Sequence, residues 1–78
     1  MFDETDLQRR QEKARRHPMR AAILRNLSGG RKLPATAICQ ELPDSPSLSM
    51  VAYHLNVLVD AKLVRVGGEF PARVFSLS

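Results

Sequence analysis

Pro43-Asp44-Ser45-Pro46-Ser47-Leu48-Ser49-Met50-Val51-Ala52-Tyr53-His54-Leu55-Asn56-Val57-Leu58-Val59-Asp60-Ala61 is the stretch that decides the architecture of this chain. Its first four residues force a turn, because two prolines and two small polar residues within four positions cannot continue a helix. Ser47 then stands as an N-cap for a helix over 48–61, its hydroxyl available to the first backbone N–H groups. Within that helix Val51, Leu55 and Leu58 recur at i, i+4 and i+7 and form one apolar face. Ser49, Tyr53 and Asn56 fall on another face. That second face carries no charge, which is unusual for a surface that meets only water.

Upstream, the chain is punctuated at Gly29-Gly30 and at His17-Pro18. A short helix fits from Ala35 or Thr36 through Leu42, with Ala37, Ile38 and Leu42 inward and Cys39 at its margin. The extended link Arg31-Lys32-Leu33-Pro34 precedes it. Ser28-Gly29-Gly30 ends an earlier helix, since glycine supplies the left-handed backbone found at helix C-termini. That helix starts at Pro18, because proline is tolerated at the first helical position and disfavours helix in the residue before it. Met19, Ala22, Ile23, Asn26 and Leu27 recur along it at helical spacing, Leu24 widens the face, and His17 caps or precedes it. Residues 3–16 read as a polar helix capped by Asp3 or Thr5, with Asp3, Glu4 and Asp6 at its positive end. Asp6 with Arg10 and Glu12 with Arg16 are i,i+4 pairs in the favourable order. Its apolar residues are sparse: Phe2, Leu7 and Ala14.

Downstream of Ala61 the period changes to two. Leu63-Val64-Arg65-Val66 and Ala72-Arg73-Val74-Phe75-Ser76-Leu77 are β-rich runs, and Gly67-Gly68-Glu69-Phe70-Pro71 between them reads as a hairpin connection. Two units result: a polar N-terminal helix or arm over 1–17 and a folded domain over 18–78.

Composition bounds what such a chain can do. Seventy-eight residues allow one small domain with a modest core. Hydrophobic residues at 44% and charged residues at 26% fit a folded domain rather than a disordered one. A single cysteine, Cys39, excludes an internal disulfide framework and a metal site built from several thiolates of one chain. The uncharged residues from Ser45 onward end before Asp60, too short a run for a transmembrane helix. The acidic start Met1-Phe2-Asp3-Glu4 is unlike a secretory signal, so a cytoplasmic location is expected. The net charge of +4 suits a polyanionic partner. Most of the cations, Arg9, Arg10, Lys13, Arg15, Arg16, Arg20 and Arg25, precede Gly29.

Helix, helix, link, short helix, turn, helix and hairpin is the layout of a winged helix-turn-helix: mainly α, with a small β-hairpin. The residues carry a resemblance too. His17-Pro18-Met19-Arg20-Ala21-Ala22-Ile23-Leu24 resembles the opening helix of ArsR-type repressors. The run from Ser49 to Val64 resembles that family's recognition helix and the entry to its wing, most specifically in its HL-x-x-L-x-x-A-x-LV spacing. The match covers about residues 17–77. Three features depart from the family pattern. The turn from Pro43 to Ser47 is about two residues longer, with Pro43 at a common glycine position; Lys62 stands where glycine is usual; and no further helix follows the wing.

The resemblance implies DNA binding through the helix from Leu48, whose N-terminal half would enter the major groove. Ser47, Leu48, Ser49, Met50, Ala52, Tyr53 and Asn56 are the candidate contacts there. Tyr53 can hydrogen-bond a base or phosphate, serine selects weakly, and Met50 or Leu48 can meet a thymine methyl. No Arg or Lys lies on this helix, so the common bidentate guanine contact is missing and DNA shape is expected to contribute. Arg31 and Lys32 before the short helix, with Arg65 and Arg73 in the wing strands, are candidate phosphate contacts. Glu69 argues against deep wing insertion, and Phe70 is unusual on an exposed tip.

His54 resembles the family's histidine before a leucine, which packs and hydrogen-bonds beside the core; without a partner at ligand spacing it is no metal site. Cys39 lies near where some ArsR-type sensors carry a cysteine pair, but stands alone and reads as a half-buried core residue. No catalytic constellation is present, and no cofactor is implied. Two functions compete. One is a transcriptional regulator on double-stranded DNA, a homodimer whose contact could run through the N-terminal helices. The other is a winged-helix protein-interaction adaptor, favoured by the uncharged recognition helix and Phe70.

Overall fold

A computed structural model describes residues 4–68 and 73–78. Its elements in chain order are α1 (Glu4–Arg16), α2 (Pro18–Asn26), α3 (Ala35–Glu41), α4 (Leu48–Asp60), β1 (Val64–Gly67) and β2 (Val74–Leu77). Phe2, Asp3, Glu69 and Phe70, each given a role in the sequence reading, lie outside the described residues, as do Pro71 and Ala72.

Each boundary has a local cause. Pro18 opens α2, and His17 caps it: the His17 backbone is extended, and its Nδ1 accepts the Met19 N–H at 3.2 Å. Ser47 does the same for α4, its Oγ accepting the Met50 N–H at 3.2 Å. Asp44 and Ser45 turn the chain between α3 and α4 with positive φ, +67° and +45°, a conformation costly for residues other than glycine. The Cys39 thiol donates to the Pro46 carbonyl at 3.1 Å and ties this turn to α3. The end of α4 is a Schellman motif: Leu63 N–H bonds Leu58 O and Lys62 N–H bonds Val59 O, both at 3.0 Å. Lys62 holds the left-handed position, φ +63°, that glycine usually takes. Leu63, expected in the first strand, is buried against the core directly after this cap, and the strand starts at Val64.

One expectation about α1 narrows and another changes. Thr5 lies inside the helix rather than capping it, since α1 begins at Glu4. Neither Asp6 and Arg10 nor Glu12 and Arg16 approach to ion-pair distance; among the described residues the ion pair is Arg31–Glu41, at 2.9 Å. These α1 side chains are exposed, where such pairs gain little against the freedom they lose.

The hairpin is antiparallel, pairing Val64 with Leu77, Arg65 with Ser76, Val66 with Phe75 and Gly67 with Val74. The link before α3 is more than a connection. Leu33 pairs with Phe75, its N–H donating to Phe75 O at 3.0 Å and its O accepting the Phe75 N–H at 2.7 Å. It thereby adds a one-residue rung to β2. Pro34, with no N–H to offer, stops the pairing there.

The core draws on every helix. Ile23 and Leu27 from the α2 region, Ile38 from α3, and Val51, Leu55 and Leu58 from α4 are fully buried, with Leu42, Ala61, Leu63 and Val64 closing the cluster. α1 joins it through Ala14, whose small side chain lets the helix lie close. The apolar face read from Val51, Leu55 and Leu58 is thus the inner face of α4, and its opposite face is left outward.

Candidate nucleic-acid interface

Because α4 is anchored by its apolar stripe, the residues between the stripe positions are presented to solvent. Ser49 and Asn56 are exposed, Tyr53 is 62% exposed, Leu48 47% and Met50 48%; Ala52 is half-buried beside them. Three large apolar side chains open to water on one thirteen-residue helix form a patch that the core does not explain. No charge interrupts it between Leu48 and Val59. Ser47 lies at the edge of this surface, with its hydroxyl engaged as the helix cap.

The orientation of α4 is also set by rings. His54, 6% exposed, lies beneath Tyr53 with its ring 4.4 Å from that of His17 and 5.1 Å from Tyr53, the latter edge-on. The cap residue of α2 therefore bears on the middle of α4. Burial, then the neighbouring His17 and Arg20, hold the His54 imidazole below its usual pKa of 6.5, which favours the neutral ring. The packing matches the sequence reading, but the expected hydrogen bond does not: the buried Nδ1 has no partner. The ring is held by its tilted and edge-on neighbours, His17 and Tyr53, instead.

The candidate phosphate contacts divide. Lys32 and Arg65 line one shallow groove across the outer face of the hairpin, together with Gly67, Gly68 and Ser76. Leu33 makes this arrangement, since its rung on β2 carries Lys32 to the sheet. Arg73 is exposed just before β2. Arg31 is engaged within the domain: Nη2 donates to Glu41 Oε1 at 2.9 Å and Oε2 at 3.2 Å, and Nη1 to Asn26 O at 3.2 Å. It clamps the end of α2 to the end of α3.

A second group of cations was visible in the sequence only as a run. Arg10 and Lys13 of α1 meet Arg20 of α2 in a cleft that also borders Tyr53, Val57 and Asp60 of α4. Arg9 and Arg15 line other surfaces. The i,i+3 spacing of Arg10 and Lys13 beside the inward Ala14 was the available signal. Cys39 is half-buried, and no group of three His, Cys, Asp or Glu side chains among the described residues could hold a metal ion. No helix among them is long and apolar enough to cross a membrane.

Comparison with known proteins agrees with this geometry. A family described as a helix-turn-helix domain matches residues 17–67. No curated protein sequence matches the chain. Among solved structures, a possible transcriptional regulator for arsenical resistance superposes with a TM-score of 0.77 at 25% identity, covering 87% of this chain and 68% of that one. HlyU from Vibrio cholerae gives 0.84 at 24% identity, covering 100% and 82%. The homodimeric winged helix-turn-helix DNA-binding domain of a possible ArsR-family transcriptional regulator from Mycobacterium bovis gives 0.80 at 23% identity, covering 94% and 65%. α3, the turn and α4 are the helix-turn-helix, and the β1–β2 hairpin is its wing.

Proposed function

The chain belongs to the helix-turn-helix domain family, and on that premise we propose that it is a transcriptional regulator that binds double-stranded DNA as a homodimer. The observation that carries this reading is the outward face of α4, large, apolar at its N-terminal end and uncharged as far as Val59, on a helix fixed from behind by the core. The N-terminal half of α4 enters the major groove. Ser49 and Tyr53 meet base edges, Asn56 lies further along, and Leu48, Met50 and Ala52 make apolar contact. Ser47 serves by starting the helix where it must start. Lys32, Arg65 and Arg73 take phosphates at the wing, and Arg31 joins them by turning its guanidinium from Glu41 to a phosphate.

No arginine on α4 can fork onto a guanine. Base selection on α4 therefore falls to Ser49, Tyr53 and Asn56, with thymine methyls and groove shape contributing. The homodimeric neighbour from Mycobacterium bovis supports a two-fold complex. Contact through α1 would join largely polar surfaces, since from Thr5 to Arg16 its side chains other than Leu7, Gln11 and Ala14 are exposed, and such a dimer forms weakly and responds to concentration. The protein acts by binding, without catalysis or cofactor, in the compartment that holds the DNA.

The same three exposed apolar side chains, Leu48, Met50 and Tyr53, favour the second reading, an adaptor that receives another protein on α4. Selection from a random duplex pool, repeated at several salt concentrations, separates the two. An enriched motif with two half-sites about one helical turn apart supports the regulator. Weak, motif-free binding that vanishes with salt overturns it in favour of the adaptor.

A further inference from the structure

The reading helix has no positive charge of its own, yet the cleft along its C-terminal half is lined by three cations. Arg10 and Lys13 come from α1, Arg20 from α2, and Tyr53, Val57 and Asp60 from α4. None of the three cations lies within ion-pair distance of a carboxylate among the described residues. The buried Nε of Arg20 has no hydrogen-bond partner, a donor left idle inside the protein. Asp60 shares the cleft without closing on any of them, so the wall keeps a net positive charge. Tyr53 belongs both to this wall and to the outward face of α4, which makes cleft and reading face one continuous surface.

We propose that this cleft seats a phosphate of the DNA backbone, with Arg10, Lys13 and Arg20 supplying beside the groove the charge that α4 lacks. The proposal rests on the DNA-binding reading and extends it to residues of α1 and α2. A phosphodiester carries one negative charge and two free oxygens, which the guanidinium groups and the ammonium can share. It comes within reach when α4 lies in the groove, because the groove is bounded by its own backbones. α1 thereby becomes part of the DNA-binding surface rather than an appendage.

The test compares duplex binding across a salt series for the full chain and two charge-matched variants. Arg10→Gln with Lys13→Gln alters the cleft at two exposed positions, and Arg9→Gln with Arg15→Gln removes the same charge from other faces of α1. Melting curves check that both variants fold. For the cleft variant the slope of log affinity against log salt is expected to flatten by about 0.9, the contribution of the one phosphate charge left unneutralised. The loss should be equal for the selected and a scrambled duplex, with the selected motif unchanged. The control variant should keep a slope close to that of the parent. Asp60→Asn should tighten binding by a few-fold, about the effect of removing one repelling charge. Equal slopes for the two variants would overturn the phosphate seat while leaving DNA binding intact. Absence of duplex binding by the parent chain would overturn both. In that case amide NMR shifts at Lys13, Arg20 and Tyr53 on titration with inorganic phosphate would assign the cleft to a free anion.

Discussion

Tyr53 shows how much a single residue can carry. It is the most open large side chain of α4, it covers His54 edge-on, and it borders the basic cleft. Removing its ring with its neighbour's hydroxyl, Ser49→Ala with Tyr53→Ala, should weaken binding to the selected duplex by about 1–3 kcal/mol while the melting temperature changes little. Retained affinity for the selected site would place the reading elsewhere. His54 beneath it makes the fold sensitive to acid. Its imidazole takes a proton less readily folded than unfolded, so the unfolded chain gains protons first as pH falls below 6.5. Unfolding free energy should therefore decline as pH falls through 6.5 toward the lowered pKa of the folded ring, and His54→Gln should flatten that decline in paired urea titrations. The exposure of Ser49, Tyr53 and Asn56 was legible from spacing alone, since helical period separates an apolar stripe from its opposite. The contact of His54 with His17 was not. The two rings come from different helices, and no local pattern records which turn of α2 meets which turn of α4.

At the scale of elements, the ends matter as much as the faces. Ser47 and His17 start their helices as the sequence implies, because capping depends on residues a few positions apart. The stop of α4 is less ordinary. Its Schellman motif is complete in hydrogen bonds, but Lys62 occupies the left-handed residue. Lys62→Gly should therefore raise stability by about 0.5–1 kcal/mol, the relief of a side chain clashing with its own backbone less the added freedom of the unfolded glycine. A lower urea midpoint for this variant would contradict the strain. Boundaries of the strands were harder to read. Leu63 has the composition of a strand residue, yet its burial under the α4 cap removes it from the ladder. Arg31 and Lys32, adjacent in sequence, part company for a similar reason: Arg31 finds Glu41, while Lys32 follows Leu33 to the sheet. Partners supplied by distant elements decide such cases.

For the whole molecule, the layout of helices and hairpin followed from local signals, while its closure did not. Nothing near Leu33 announces that the link before α3 will pair with β2, because the partner Phe75 lies some forty residues further along. A contact of that span has a kinetic consequence. Helical turns and the α3–α4 hairpin of helices form from near neighbours, whereas the Leu33–Phe75 rung must await closure of the long loop between them. The rung is therefore expected to form late, after the folding barrier, and to act as a brake on the way out. Phe75→Ala keeps the two backbone bonds but removes the ring that packs on the core beside them; it should speed unfolding by the greater part of its total effect and leave the refolding rate nearly unaltered, as the two arms of a chevron plot would record. The segment that brings Lys32 beside Arg65 is then also the clasp that sets how long the domain stays folded once it has formed.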